Sequence, residues 1–407
     1  MAGNLVRKAD GLLGTHVTLT SVENGLRDAL GTTARFGPRS EDVVEIGKHN
    51  GMYSRLARMN CDWEGAETDK DGMPLPESVV VKMATCLTMA ESARLDSNND
   101  KMWTGMEEHM KEMHNTECSV YNALDPIAEQ LRVPRVYYSK PFNNETLDGH
   151  IVMEFIDDAE PLPTHRNPTL GELRAIAREL GKMQGLVYRA KVALNSLAPI
   201  SMDIYTLVWS HFKTEPFLAH LTAIAQEKPE LTEVVDRVKL LAPLYIGSNL
   251  QSTLHDQMGI PPVLVHGDIH TANILMHCDS DKLRALIDWQ QSHFGSACED
   301  IVRMALCQLS KEDRHDQMDE LLETMHGAMA EQLEDGDVVP YSIEQLRETS
   351  AIAFPHIAFF VLPWMLSHLE DPGSADARTS RLNKIIGVLE DIVLYHDRNE
   401  LLGHSFR

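Results

Sequence analysis

Pro261-Pro262-Val263-Leu264-Val265-His266-Gly267-Asp268-Ile269-His270-Thr271-Ala272-Asn273-Ile274-Leu275-Met276 is the stretch on which the fold turns. Two short apolar runs flank a polar segment interrupted by Gly267, which predicts strand, loop, strand. A polar turn over residues 277–282 follows. Leu283-Arg284-Ala285-Leu286-Ile287 then runs as a further strand into Asp288-Trp289-Gln290. Asp268, Asn273 and Asp288, three side chains that offer oxygen, therefore fall in the loop or at strand ends.

Outward from this segment the two halves of the chain differ in texture. Before it, β-type runs are predicted at Val43–Ile46, Tyr53–Met59, Ser78–Met83, Arg135–Ser139 and His150–Phe155, with Gly- and Asp-rich turns between them. One helical stretch, about 101–131, interrupts them, and the polar break at 97–100 marks its start. After Asp158 the pattern becomes helical. Thr169-x-x-Glu172 and Ser342-x-x-Gln345 have capping-box spacing, and Leu382, Ile385, Ile386, Leu389 and Ile392 recur on one helical face. The expected organisation is α+β: an N-terminal helix-and-loop cap (1–40), a β-rich lobe with one long helix (41–156) and a larger, mainly helical lobe (157–407).

Length and composition set the frame. At ~150 residues per domain, 407 residues allow two or three domains, or two lobes around a cleft. A net charge of 37 − 61 = −24 repels a duplex or an anionic bilayer, so nucleic-acid and membrane-surface roles are not expected. Six cysteines without a C-x-x-C pair exclude a disulfide scaffold and a zinc ribbon. The first ten residues have no apolar core of a secretory signal, and the most apolar stretch, 351–369, is broken by Pro355, His356, Pro363 and His368. That stretch is expected to form a buried helix pair, and the protein to be cytoplasmic with reduced thiols.

The chemistry follows from the three oxygen-bearing residues. Phosphoryl transfer from a nucleotide needs a carboxylate for the proton of the attacking hydroxyl, oxygen ligands for Mg²⁺ on the phosphates, and a held cation. Asp268 and Asn273 have the D-x-x-x-x-N spacing of a kinase catalytic loop, and Asp288 stands where a metal-binding Asp belongs. Hard oxygen donors at Asn273 and Asp288 suit Mg²⁺. His266 and His270 are four apart, but Gly267 and the preceding strand argue against a zinc-binding helix, and H-E-x-x-H is absent.

His266-Gly267-Asp268-x-x-x-x-Asn273 with Ile287-Asp288-Trp289 resembles the signature of aminoglycoside phosphotransferases and choline kinases. The wording from Leu264 to Leu275 and from Ile287 to Arg303 is most similar to the choline/ecdysteroid kinase-like (CHK kinase-like) family, and the resemblance runs from about residue 40 to 310. It implies a two-lobed protein-kinase-like fold, ATP and Mg²⁺ as cofactors, and a small molecule as hydroxylated acceptor. Asp268 would be the catalytic base, and Asn273 and Asp288 the metal ligands. Lys82 would hold the ATP phosphates and Glu117 would orient it, with Met113 and Tyr121 on the same helix face. Glu107, Glu108 and Glu112 share that helix, so Glu117 rests on the resemblance of His114-Asn115-x-Glu117-x-x-x-Tyr121. Gly47, Gly51 and Ser54 would cover the phosphates, and Glu154 and Ile156 would form the hinge at the adenine. Lys48, His49 and Asn50 leave the first of these loops without a full G-x-G-x-x-G.

A protein kinase is disfavoured by H-G-D in place of H-R-D, D-W-Q in place of D-F-G, and the lack of an A-P-E segment. The alternative from another class is an inactive pseudokinase that binds a nucleotide or metabolite, or acts as a scaffold. Its mark would be loss of Lys82, Asp268, Asn273 or Asp288, and all four are present. Asp300 admits two readings, a charge at a helix N-terminus or a brace on the site floor that involves Arg303. The sequence is silent on oligomeric state.

Overall fold

The computed structural model describes residues 4–47, 53–92, 100–143, 145–162, 167–190, 209, 212–334, 336–369 and 374–404. The chain divides into two compact units. The first comprises Met1–Ala128, Val133–Ala159 and Ile287–Gln290, and the second Glu129–Arg132, Glu160–Leu286 and Gln291–Arg407. The four-residue return at Ile287–Gln290 puts Asp288 in the first unit, a placement that spacing along the chain does not give.

The first unit is built on a five-stranded antiparallel sheet. Its strands lie in the order Val43–Ile46, Ser54–Asn60, Ser78–Ala84, His150–Glu154 and Val136–Lys140. Ser78–Ala84 is central, with Lys82 opposite Leu56 on one side and Ile151 on the other. Successive side chains of a strand alternate between faces. Val79, Val81 and Met83 therefore share one face, where they join a core with Ala57, Met59 and Val152. Val22, Leu26 and Leu30 of the helix Leu19–Leu30 close that core, so the segment before residue 41 covers this face of the sheet. Lys82 belongs to the opposite set.

The long helix of this unit spans Asp100–Leu124 and gives way to a 3-10 segment, Asp125–Gln130. The expected helix ran to 131. Pro126 explains the earlier end, because a residue before proline is pushed out of the α region and proline has no N–H to donate.

The second unit is mainly helical. Both expected capping boxes form: the Thr169 amide donates to Glu172 Oε2 at 2.7 Å while the Glu172 amide donates to Thr169 Oγ1 at 3.1 Å, and Ser342 and Gln345 repeat the exchange. The capped helices are Leu170–Ala190 and Ile343–Ser367. The last is one continuous helix and not the expected pair, although Pro355 and Pro363 lie inside it. Pro355 cannot donate to the carbonyl of Ala351, and the buried Asn399 fills the gap by donating Nδ2 to that oxygen at 2.9 Å. By length and composition this helix is apolar enough to cross a membrane, but 83% of its apolar window is buried, which makes it a core helix. Two antiparallel strand pairs are set among the helices, the second of them a β-hairpin. Val263–Val265 pairs antiparallel with His293–Gly295, and Ile274–His277 with Leu283–Leu286.

Candidate active site

In the first unit three ionisable side chains converge. Lys82 Nζ donates to Glu117 Oε2 at 2.6 Å and to Asp288 Oδ1 at 2.7 Å. The sheet supplies the lysine, the long helix the glutamate, and the return segment the aspartate. Lys82 and Glu117 are almost wholly buried, whereas the Asp288 side chain keeps about a fifth of its exposure, 21%. Burial opposes charge on Lys82, but Asp288 and Glu117 outweigh it and hold the ammonium above its ordinary range. Burial lifts the Glu117 carboxyl; Lys82 pulls it down and Asp288 pushes it up again. Asp288 has φ +68°, a left-handed conformation that aspartate tolerates better than most residues. Tyr121, one turn beyond Glu117, is buried against this cluster, and burial raises its hydroxyl.

The second unit holds the loop that carries Asp268 and Asn273. Gly267 opens it with φ +80°, and a Cβ there would lie 2.4 Å from the Gln291 carbonyl oxygen, so only glycine fits. Asp300, in the first turn of the helix Glu299–Gln308, accepts from the amides of His266 at 2.8 Å and Gly267 at 2.9 Å. His266 braces the turn from within, its Nδ1 accepting from the Asp268 amide at 3.2 Å. Ser292 Oγ adds a bond to the His266 carbonyl at 3.2 Å. Four interactions thus fix a loop of a few residues.

Asn273 Nδ2 donates to the Asp268 carbonyl at 2.9 Å and lies 3.4 Å from Asp268 Oδ2 and 3.2 Å from His270 Nε2. These contacts use the amide nitrogen, which leaves the Oδ1 of Asn273 as the acceptor offered to a ligand. Arg303 Nη2 donates to Asp268 Oδ1 at 2.5 Å. Burial alone would raise the Asp268 carboxyl, but Arg303, His270 and His266 together hold it well below the ordinary carboxylate range. Asp300 differs. Burial pushes it up to about 6 against the two amides that it accepts.

The expected site residues fall into three groups. Lys82, Glu117 and Asp288 form one cluster, and Asp268 and Asn273 another. Gly47 (φ +62°) and Ser54 bound the proposed phosphate loop, while Gly51 with residues 48–50 lies outside the described residues. At the expected hinge, the Glu154 amide donates to the Arg135 carbonyl and its Oε1 accepts from the Arg135 amide, both at 2.9 Å. Its side chain thus closes the end of the ladder, and Ile156 follows two residues beyond the strand. Trp289, next to Asp288, is core at 1% exposure. Arg303 enters the sequence reading only as part of a brace with Asp300, and its partner is a different residue. It lies one helical turn after Asp300, yet it pairs with Asp268, a contact across 35 positions with no signature in sequence.

A central lysine paired to a helix glutamate, followed by a hairpin-borne Asp–Asn loop, defines a protein-kinase-like α+β fold. Residues 5–400 match the family DUF1679, described as "Uncharacterized oxidoreductase dhs-27", and the chain belongs to that family. Two curated Caenorhabditis elegans proteins are similar to it. "Uncharacterized oxidoreductase dhs-27" is 22% identical over 267 residues, which cover 63% of this chain and 31% of that protein. "Uncharacterized kinase-like protein D1044.1" is 23% identical over 150 residues, covering 34% of this chain and 39% of that protein. The matches thus span 31% and 39% of the length of these relatives. Among solved structures, a choline kinase from Cryptosporidium parvum is similar at 12% identity, covering 89% of this chain and 90% of the other, with a TM-score of 0.46. A second, described as a putative aminoglycoside phosphotransferase from Ralstonia eutropha, has 14% identity, coverages of 93% and 97%, and a TM-score of 0.43.

Proposed function

We propose that this chain transfers the γ-phosphoryl group of ATP to a hydroxyl of a small molecule, with Asp268 as the base, Lys82 oriented by Glu117 on the phosphates, and Asn273 and Asp288 as ligands for Mg²⁺. The observation that carries this reading is the convergence of Lys82, Glu117 and Asp288, residues from three distant parts of the chain, on one buried ion cluster. A purely structural pairing needs one carboxylate for one lysine. Here a second one is present, partly exposed and held in a left-handed turn.

The donor chemistry fits the metal. Asp288 offers a carboxylate and Asn273 an amide oxygen, both hard ligands, with no thiol or imidazole in the set. When bound, Mg²⁺ would neutralise phosphate charge. The residues do the rest: Lys82 holds phosphate oxygens, and Asp268, ionised at any physiological pH, accepts a hydrogen bond from the acceptor hydroxyl and takes its proton. A weak base suffices, because phosphoryl transfer through a loose transition state asks for proton removal late.

The oxidoreductase in one relative's name belongs to a protein of which this chain spans 31%. A dinucleotide fold would need a parallel, doubly wound sheet, whereas the five-stranded sheet here is antiparallel throughout.

The test is a metabolite extract incubated with the purified chain, Mg²⁺ and ATP, read by mass spectrometry for a gain of one phosphoryl group, with Mg·ATP binding titrated separately. Transfer that needs Mg²⁺ supports the reading. Mg·ATP binding without any transfer identifies a pseudokinase.

A further inference from the structure

Asp268 is held by more than its own loop. The helix Glu299–Gln308 grips the loop at two levels: Asp300 takes the backbone amides of His266 and Gly267, and Arg303, one turn on and on the same face, takes Asp268 Oδ1 at 2.5 Å. The Arg303 guanidinium also lies over the ring of Phe360, 5.4 Å from its centroid. Phe360 is set edge-on to Trp209 at 5.9 Å. The pair is largely dry, with side-chain exposures of 13% and 9%. This is not a surface ion pair that wanders in solvent. The guanidinium lies against an aromatic ring and is hydrogen-bonded at its edge to a carboxylate.

The two carboxylate oxygens are thereby made unequal. Oδ1 is committed to a charge-assisted bond, the strongest contact that Asp268 makes. Among the described residues Oδ2 has only long contacts, 3.4 Å from Asn273 Nδ2 and 3.7 Å from His270 Nε2. Rotation of the carboxylate would break the short bond first, so its orientation is set by Arg303. An ammonium at this position would lack the planar fork and carry a tighter hydration shell.

We infer that Arg303 is a positioning residue: it clamps Oδ1 of Asp268 so that Oδ2 is the oxygen that meets the acceptor hydroxyl. This rests on Asp268 being the base of the phosphoryl transfer proposed above. Arg303 touches neither the nucleotide nor the acceptor in this role. Its loss acts on turnover, through Asp268.

The experiment uses Mg·ATP with water as the acceptor, read as ADP release, and Mg·ATP affinity by titration, in the full chain. Arg303→Gln should lower ADP release by about 10–100-fold, the scale on which loss of an orienting partner acts, with affinity within about twofold of the parent. Arg303→Lys should recover part of the rate. In an Asp268→Asn background, Arg303→Gln should lower the rate no further. Thermal unfolding of the parent, Arg303→Gln, Asp268→Asn and the double variant supplies a readout independent of turnover, and these two substitutions should be coupled in melting temperature.

Unchanged release in Arg303→Gln, a rate loss that multiplies with that of Asp268→Asn, or additive melting shifts would each overturn the inference and leave the phosphotransferase reading standing. Release that ignores Asp268→Asn, or a parent that binds Mg·ATP and releases no ADP, would overturn both. Should Arg303→Gln fail to fold, Arg303→Lys carries the comparison: parental release in that variant shows that charge alone suffices and rejects the clamp.

Discussion

The two ion clusters of this molecule are built on opposite plans. Around Lys82, two carboxylates share one cation, and one of them stays partly exposed. Around Asp268, one carboxylate faces an arginine, two histidines and an amide, and almost nothing is exposed. The first arrangement has negative charge to spare and is suited to gather a divalent cation with its phosphates. The second has none to spare. In the phosphoryl transfer proposed above, binding and chemistry would ask for different electrostatics, with Asn273 of the second cluster serving both.

The largest expected effect would break the comparison outright. Asp268→Asn should lower turnover by roughly 10²–10⁴-fold, the usual weight of general-base catalysis, while Mg·ATP still binds. Asp288→Asn should weaken both, since it removes the charge that gathers the metal. Parallel titration and turnover assays separate these outcomes, and identical profiles for the two variants would mean that the clusters do not divide the work.

Next in size is the backbone under the second cluster. Gly267→Ala meets both a positive φ and the Gln291 carbonyl at 2.4 Å. A loss of about 2–4 kcal/mol in chemical denaturation is expected, with activity falling in step. Wild-type stability in the variant would show that the loop has a second conformation and is less rigidly held than the Lys82 cluster.

A thermodynamic cycle sharpens the picture of the first cluster. Lys82→Met and Glu117→Gln should be non-additive in denaturant midpoints by about 1–3 kcal/mol, because each removes the other's buried partner. Repeating the cycle with Asp288→Asn should give a smaller coupling, since Asp288 is the more exposed carboxylate. Equal couplings would make the cluster a symmetric structural triad.

The smallest effect is a slope. Asp300 is raised to about 6, so between about pH 4 and that value the folded chain keeps a proton that the unfolded chain has released. Its contribution to stability is whole below about pH 4 and fades as the pH rises through about 6. Asp268, held low, slopes the other way: its contribution stands above about pH 4 and is lost in stronger acid. Melting temperatures from pH 4 to 7 should therefore fall less steeply in Asp300→Asn than in the parent. An unchanged slope would remove Asp300 from the set of titrating groups.

Much of this was legible in the sequence because it is local. The strand starting at Ser78, the capping boxes at Thr169 and Ser342, and the Asp268–Asn273 spacing all depend on neighbours within a few residues, where periodicity and capping chemistry act. The same local logic failed at Ala351–Ser367. Two prolines predict a break there, and the rescue comes from Asn399 on another helix, a donor that no window around Pro355 contains.

The sequence by itself determined the elements, the residue types of the site and the order in which they occur. The tertiary structure alone decided which charges meet: Asp288 on Lys82 across 206 positions, and Arg303 on Asp268 rather than on Asp300. The reason is physical. Secondary structure is selected by short-range sterics and hydrogen bonding, whereas the pairing of buried charges is set by burial, which makes an unpaired ion costly and so selects, from many possible partners, the one that the packed core brings within reach.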